Sequence, residues 1–331
     1  MTDPTNEANS GRGFFDNYLR IGRWTMGLGE RTHIGDSSLI QDKDRRVCRF
    51  CRQTTPTVTF NKEAHVVPQL FGNRSLLSVY ECDACNQRFG TGIENDLGNW
   101  TKPYRTVLLV RGQDGVPSIK GRGAEQWRFD GHVEGERREL NMTSRRNEGP
   151  YRVDEEQRLI IMDLTRDPYT PAGVMKAFVR VGLTLMPEEE LPHFVEMMAW
   201  IQNPDHKAAH IGKWSWVDET VRSERMPNNQ VRAGLYRRKN DQGPPPYMFL
   251  ILAFAHHLYQ VPLVSFGRDA HLKEKRVVVP AFPVPPPPDW AKSGQRVQTF
   301  IDLSGTDIVR GEKVKITQSY GERIEVIDVK P

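Results

Sequence analysis

The sequence predicts an α+β protein in which a small cysteine-stapled unit near the N-terminus precedes a larger β-rich domain with a central helical pair. Three observations predict it. All four cysteines of the chain fall between Cys48 and Cys85, as two Cys-x-x-Cys pairs. Runs of β-branched and aromatic residues, separated by turn formers, recur through most of the chain beyond residue 103. Between residues 171 and 203 the apolar spacing switches to that of helices. The length of 331 residues fits about two domains of roughly 150 residues each. With 37% apolar and 27% charged residues, the chain has enough apolar side chains for a core.

Taken in order, residues 1–12 read as a polar tail. In 13–44, Phe14, Phe15, Tyr18, Leu19, Ile21 and Trp24 suggest one short helix that stops near Gly27 and Gly29. Residues 45–102 form the cysteine unit. VCRFC (47–51) reads as a strand entering a metal knuckle, and TVTFNKEAHVVP (57–68) as two short strands or a hairpin around Asn61-Lys62. SVYECDACNQRFGTGIENDL (78–97) passes from a strand through the second knuckle into a helix.

Residues 103–331 form the larger domain. TVLLV (106–110) and RLIIMDL (158–164) read as strands. Pro171 fits the first turn of a helix through Met186, and PEEELPHFVEMMAWIQN reads as a second helix with Glu188–Glu190 at its positive end. YMFLILAF (247–254), VPLVSF (261–266), RVVVP (276–280), VQTFIDL (297–303) and RIEVIDV (323–329) read as strands, with PAFPVPPPPDW (280–290) a stiff connector.

Composition narrows the function classes. No run of about 18 apolar residues exists, so no membrane-spanning helix is expected. MTDPTNEANSGRG lacks the basic and apolar regions of a signal peptide, which predicts a cytoplasmic protein. The net charge of +4 is a weak bias. Its distribution says more, because Arg45, Arg46, Arg49 and Arg52 crowd the first cysteine pair. Lys102, Arg105, Arg111, Lys120, Arg122 and Arg128 are opposed in their stretch only by Asp114 and Glu125. Such a surface attracts a phosphate backbone; the plainer alternative is a solvated basic face.

Four thiolates in two Cys-x-x-Cys pairs satisfy the tetrahedral preference of zinc, so Cys48, Cys51, Cys82 and Cys85 are predicted to hold one structural Zn²⁺. His65 sits at the end of a predicted strand, and Asn86 directly follows Cys85. A zinc ion would lock the strand and helix that carry them. Histidine can act as a base near pH 7, and a carboxamide oxygen suits a hard ion such as Mg²⁺. The plainer readings are a core histidine and a helix cap.

The segments CRFC (48–51), KEAHVVPQLFGN (62–73) and CDACNQRFGTGIE (82–94) resemble the HNH endonuclease superfamily over about 50 residues. The resemblance implies a ββα-metal, treble-clef-like HNH module that hydrolyses phosphodiesters. It implies His65 as general base and Asn86 as a ligand of a catalytic Mg²⁺ or Mn²⁺. Many members carry an acid directly before the histidine; here Ala64 stands there. Glu63 shares a strand face with His65 and is the candidate replacement ligand. A second helix ligand four positions after the asparagine falls on Gly90, which offers none. Glu94 lies eight positions on, too far along a continuous helix to share an ion with Asn86.

Arg49, Arg52, Lys62 and Arg88 are the candidate phosphate contacts. The expected substrate is DNA, although these residues do not distinguish it from RNA. The rival class is a non-catalytic zinc module that binds nucleic acid or protein. Residues 103–331 would serve target recognition, activity control, or a surface for a second copy or regulatory partner. His206, His210, His256, His257, Trp214 and Trp216 read as packing or ordinary polar residues.

Overall fold

A computed structural model describes residues 13–121, 127–134, 137–144, 149–207, 211–221, 230–241, 243, 246–272, 279–283 and 297–319. It is a mixed helix-and-sheet protein with the cysteines clustered in its N-terminal third.

The largest sheet has six antiparallel strands: β1 (Tyr18–Met26), β11 (Val231–Arg238), β12 (Met248–Phe254), β13 (His257–Leu263), β10 (Trp216–Val221) and β14 (Val297–Asp302), in that spatial order. Every residue of β12 and β13 is buried; β12 is an unbroken apolar run, and in β13 the buried His257 and Gln260 have polar partners in Glu219 and Pro280 O. There are three further sheets of three strands each among the described residues. One joins β2 (Thr32–Ile34), β4 (Leu76–Ser78) and β3 (Ala64–His65). Another joins β5 (Ile119–Lys120), β6 (Trp127–Glu134) and β7 (Arg137–Ser144). The last joins β15 (Lys313–Ser319), β9 (Leu159–Thr165) and β8 (Tyr151–Asp154).

Four helices of eight or more residues matter here: α1 (Asp83–Thr91), α2 (Ile93–Val107), α3 (Pro171–Leu185) and α4 (Val195–Gln202). Helix α3 is buried along its whole length, including Lys176 and Arg180. It lies against α2, α4, β12 and β13. Close approach to α2 depends on a glycine, because a Cβ on Gly173 would sit 2.0 Å from Asp96 Oδ2. One apolar cluster contains Cys48, Cys82, Cys85, Phe71, Trp100, Phe178, Phe254 and Tyr259. The cysteine region thus shares its core with the main sheet, so metal is not its sole source of folding energy.

Several local expectations give way to tertiary structure. Residues 18–26 are a sheet-edge strand, not a helix; only 13–17 are helical. Their aromatics serve strand pairing with β11, a partner more than 200 residues away. VCRFC forms a turn with one isolated bridge, Val47 to Thr54, because its backbone wraps the cysteine cluster. Within 57–68 only Ala64–His65 is a strand, and it pairs with Leu76–Ser78 rather than with its own flank. TVLLV is the end of α2 and a turn; burial on α2's apolar face overrides its β propensity. The helix expected through 97 is broken at Gly92 into α1 and α2, and α2 continues across residue 102 to Val107.

RLIIMDL, YMFLILAF, VPLVSF and VQTFIDL contribute β9, β12, β13 and β14, and Pro171 begins α3. Glu188 and Glu190 do not sit in the first turn of α4; Glu188 pairs with Arg49, and Glu190 with Arg237 and Tyr247. RIEVIDV, most of RVVVP and most of the proline-rich connector lie outside the described residues, as do Arg122, Glu125 and His210. No helix among the described residues is long and apolar enough to cross a membrane.

Candidate active site

The cysteine cluster is built by two turns. Cys48 N–H donates to Gln53 O and Arg52 N–H to Cys48 O, both at 2.9 Å, closing the first knuckle with Arg52 in the left-handed region at φ 60°. The second knuckle is the start of α1, where Asn86 N–H donates to Cys82 O at 2.9 Å. The four Sγ atoms lie within 4.8 Å of one another. Four soft sulfur donors at that separation fit one tetrahedral Zn²⁺ with no position left for substrate. Arg88 Nη2 lies 3.3 Å from Cys85 Sγ and also contacts Gln202.

Two side chains, both of the kind that favour loops and caps, shape the approach to His65. Asp83, first residue of α1, accepts from Thr59 Oγ1 and from the backbone amides of Asn61 and Lys62 at 2.5, 3.0 and 2.8 Å. These bonds hold its pKa below the usual carboxylate range, although burial opposes them. Asn73 is fully buried; its amide donates to Val67 O and Leu76 O, and its oxygen accepts from Ser75 and Leu76 N–H. It therefore fixes the connection from β3 to β4.

His65 and Asn86 line the same open groove, of about 760 Å³, together with Glu63, Glu94 and Gly90. The imidazole is half-buried, and Gln69 Nε2 lies 3.0 Å from His65 Nε2. Burial pushes the His65 pKa down to about 4; Glu63 opposes this and Arg180 adds to it. The ring is consequently neutral at pH 7, with Nε2 the unprotonated nitrogen when the Gln69 amide donates. Glu63 is exposed and ion-paired with Arg31. Asn86 Nδ2 is 3.4 Å from Glu63 O.

Behind His65 lies a charge cluster that local sequence reading missed. Arg180 Nη1 donates to His65 O at 2.8 Å and Val66 O at 2.9 Å, and Nη2 to Glu81 Oε2 at 2.7 Å. Glu94 Oε1 is 3.2 Å from Arg180 Nη1. Burial opposes the charge on Arg180, yet Glu81 and Glu94 outweigh it and hold its pKa above the ordinary value. Burial pushes Glu81 up to about 7 against the attraction of Arg180, and raises Glu94 likewise. The signal for Arg180 was present: with Lys176, it is one of two charges in the apolar run of α3. Glu94 lines the groove on a second helix, so the axial distance along one continuous helix does not describe its position.

Of the candidate phosphate contacts, Arg49 is corrected. Its side chain is buried, with Nη1 donating to Leu183 O, Thr184 O and Met186 O at the C-terminal end of α3, so it caps a helix. Arg46 likewise donates to Leu39 O and Ile40 O. Arg52 is exposed outside the groove lining, whereas Lys62 lines the groove and bonds Gln87 Oε1 at 3.2 Å. Lys102 and Arg128 are ion-paired with Asp167 and Asp130, so the basic stretch is not a continuous free face.

His257 pairs with Glu219 and stacks near Phe254, and Trp216 belongs to the core, as their packing reading expected. His206 Nε2 is 3.9 Å from Asp96, and Trp214 packs partly buried.

Residues 48–101 match the HNH endonuclease family model. The match covers the zinc-fitting cysteines, His65 and Asn86, and stops within α2. No curated protein and no solved structure matches the chain. The HNH segment is therefore nuclease-like by family, and the rest of the chain has no counterpart in these comparisons.

Proposed function

We propose that the chain is a metal-dependent HNH endonuclease that hydrolyses phosphodiester bonds of DNA. The observation that carries the reading is the common groove lined by His65 and Asn86 beside the four-cysteine cluster. In this reading β3, β4 and α1 are the ββα-metal unit, and the zinc is structural. Asn86, with Glu63, would hold Mg²⁺ or Mn²⁺; such an ion supplies charge neutralisation at the phosphate. Glu63 can serve only by turning from Arg31. His65, neutral at pH 7, accepts the proton of the attacking water. Lys62 holds a neighbouring phosphate at the groove wall. Bacterial defence or mobile-element biology and a cytoplasmic location accord with this family reading by analogy alone.

The test is plasmid DNA incubated with the protein and Mg²⁺ or Mn²⁺, beside His65→Ala. Cleavage by the wild type and a loss of at least about 100-fold in the variant, with zinc content unchanged, is the expected result. A wild type that binds DNA and leaves it intact with either metal favours the non-catalytic zinc module. Residues 103–331 are proposed to serve target recognition or control, including contact with a second copy or regulator.

A further inference from the structure

The groove runs past the HNH match to a residue that neither the match nor the resemblance touches. Arg105, on the last turns of α2, is only 7% exposed and lines the groove. Its Nε donates to Thr101 Oγ1 at 3.1 Å and its Nη2 to Gly98 O at 2.8 Å. Both partners are neutral, and Nη1 bonds no described residue. No carboxylate among the described residues pairs with it. Burial draws its pKa down to about 10, with no charged neighbour contributing. Of the other buried arginines, Arg180 faces Glu81, Arg238 Asp269, Arg166 Glu312 and Arg49 Glu188; Arg46 also has no carboxylate, but it lies outside the groove and donates to Leu39 O and Ile40 O. A buried cation without an anion is costly to retain. Nor does it serve the carbonyls at the end of α2, because its head reaches back seven residues to Gly98.

We propose that Arg105 is a binding site for an internal phosphate of the polynucleotide strand whose neighbouring phosphodiester lies at His65. This rests on the nuclease reading of the same groove. The head of Arg105 lies at the height of residue 98, four residues beyond Glu94, or about 6 Å along the axis. Glu94 and His65 line the same groove, so this step sets the guanidinium farther along the groove and in place for a flanking phosphate. The planar guanidinium presents Nη1 and the second hydrogen of Nη2 to phosphate oxygens, which suits its fork geometry. The groove lining also includes residues 112–117, with two glycines and one acid, Asp114. Lys102, the neighbouring cation, is taken up by Asp167.

The test is binding of a fluorescent DNA duplex in Ca²⁺ across a salt series, for wild type, Arg105→Gln and Arg105→Lys. A folded Arg105→Gln is expected to weaken binding on the order of tenfold and to reduce the slope of log K against log salt by about 0.9. Arg105→Lys weakens binding while keeping the slope, because it keeps the charge and loses the fork. Unchanged affinity and slope in Arg105→Gln overturn the proposal. If Arg105→Gln does not fold, Arg105→Lys decides: weaker binding supports it and equal binding overturns it. Equal affinity for duplexes with and without a 5′-phosphate is expected, and dependence on that terminal group overturns the internal assignment. Plasmid cleavage separates the two readings. Arg105-dependent binding without cleavage sinks the nuclease and leaves this site; cleavage by wild type with an indifferent Arg105→Gln does the reverse.

Discussion

The HNH segment and the six-stranded sheet are held by opposite means. In the sheet, β12 and β13 are buried at every position, and regular backbone pairing carries the structure. In the segment, β3 has two residues and β4 three, and much of the chain between the knuckles is turn and loop. Its order comes from four sulfurs, from Asp83 and Asn73 binding backbone groups, and from two arginines. Arg49 joins it to the end of α3, and Arg180 joins it to the middle. The comparison teaches that the site is not carried by its own secondary structure. It is clamped onto a helix that the sheet has already buried.

The strongest way to break the contrast is Cys82→Ser. Loss of one thiolate is expected to abolish stoichiometric zinc, whose binding in small units is worth on the order of 10 kcal/mol. Hydrogen exchange should then show rapid exchange over 48–101 and retained protection in β12 and β13. Equal loss of protection in both regions would refute the division.

Next comes Arg180→Leu, which strands Glu81 in the interior. Glu81 is fully buried, and its Oε1 already lacks a partner among the described residues. Destabilisation of about 3–5 kcal/mol is expected from urea unfolding, with Glu81→Leu added to the same chain recovering part of it. No recovery would mean that the bonds to His65 O and Val66 O dominate.

The smallest effect sharpens the comparison from the α3 side. Lys176 is buried, with its Nζ 2.6 Å from Asn203 O, and burial draws its pKa down to about 8. The unfolded chain, with an ordinary lysine near about 10.4, binds more protons between these values. Stability therefore rises with pH from about 8 to 10, and the penalty is fully present below 8. Lys176→Met should flatten that rise relative to wild type in urea unfolding at pH 7.5, 8.5 and 9.5. A slope equal to the wild type's would assign it to other groups.

What the sequence made legible follows range. The four cysteines lie within one short stretch, and their spacing alone predicts the zinc set; His65 and Asn86 were singled out with the help of the resemblance to the HNH superfamily. The α3 helix and the strands β9, β12, β13 and β14 were legible because apolar periodicity is local. β1 was misread because its pairing partner, β11, is distant, and TVLLV because helix burial outweighed its β-branched composition. Arg49 was assigned to phosphate from its neighbourhood in sequence, while its actual partners lie more than 130 residues away. Arg180 had no motif to announce it, and Arg105 stood out only as one cation of a basic stretch. A charge inside an apolar helical run, as at Arg180, is the signal that reading for spacing alone passes over.

Helix α3 reaches the histidine's own backbone through a single guanidinium, and that has a practical meaning for anyone cutting the chain. A fragment ending near residue 102 would keep every residue of the family match and still lose the fitting on which His65 hangs. Such a piece would be a poor cassette to graft onto another protein, whatever its metal content.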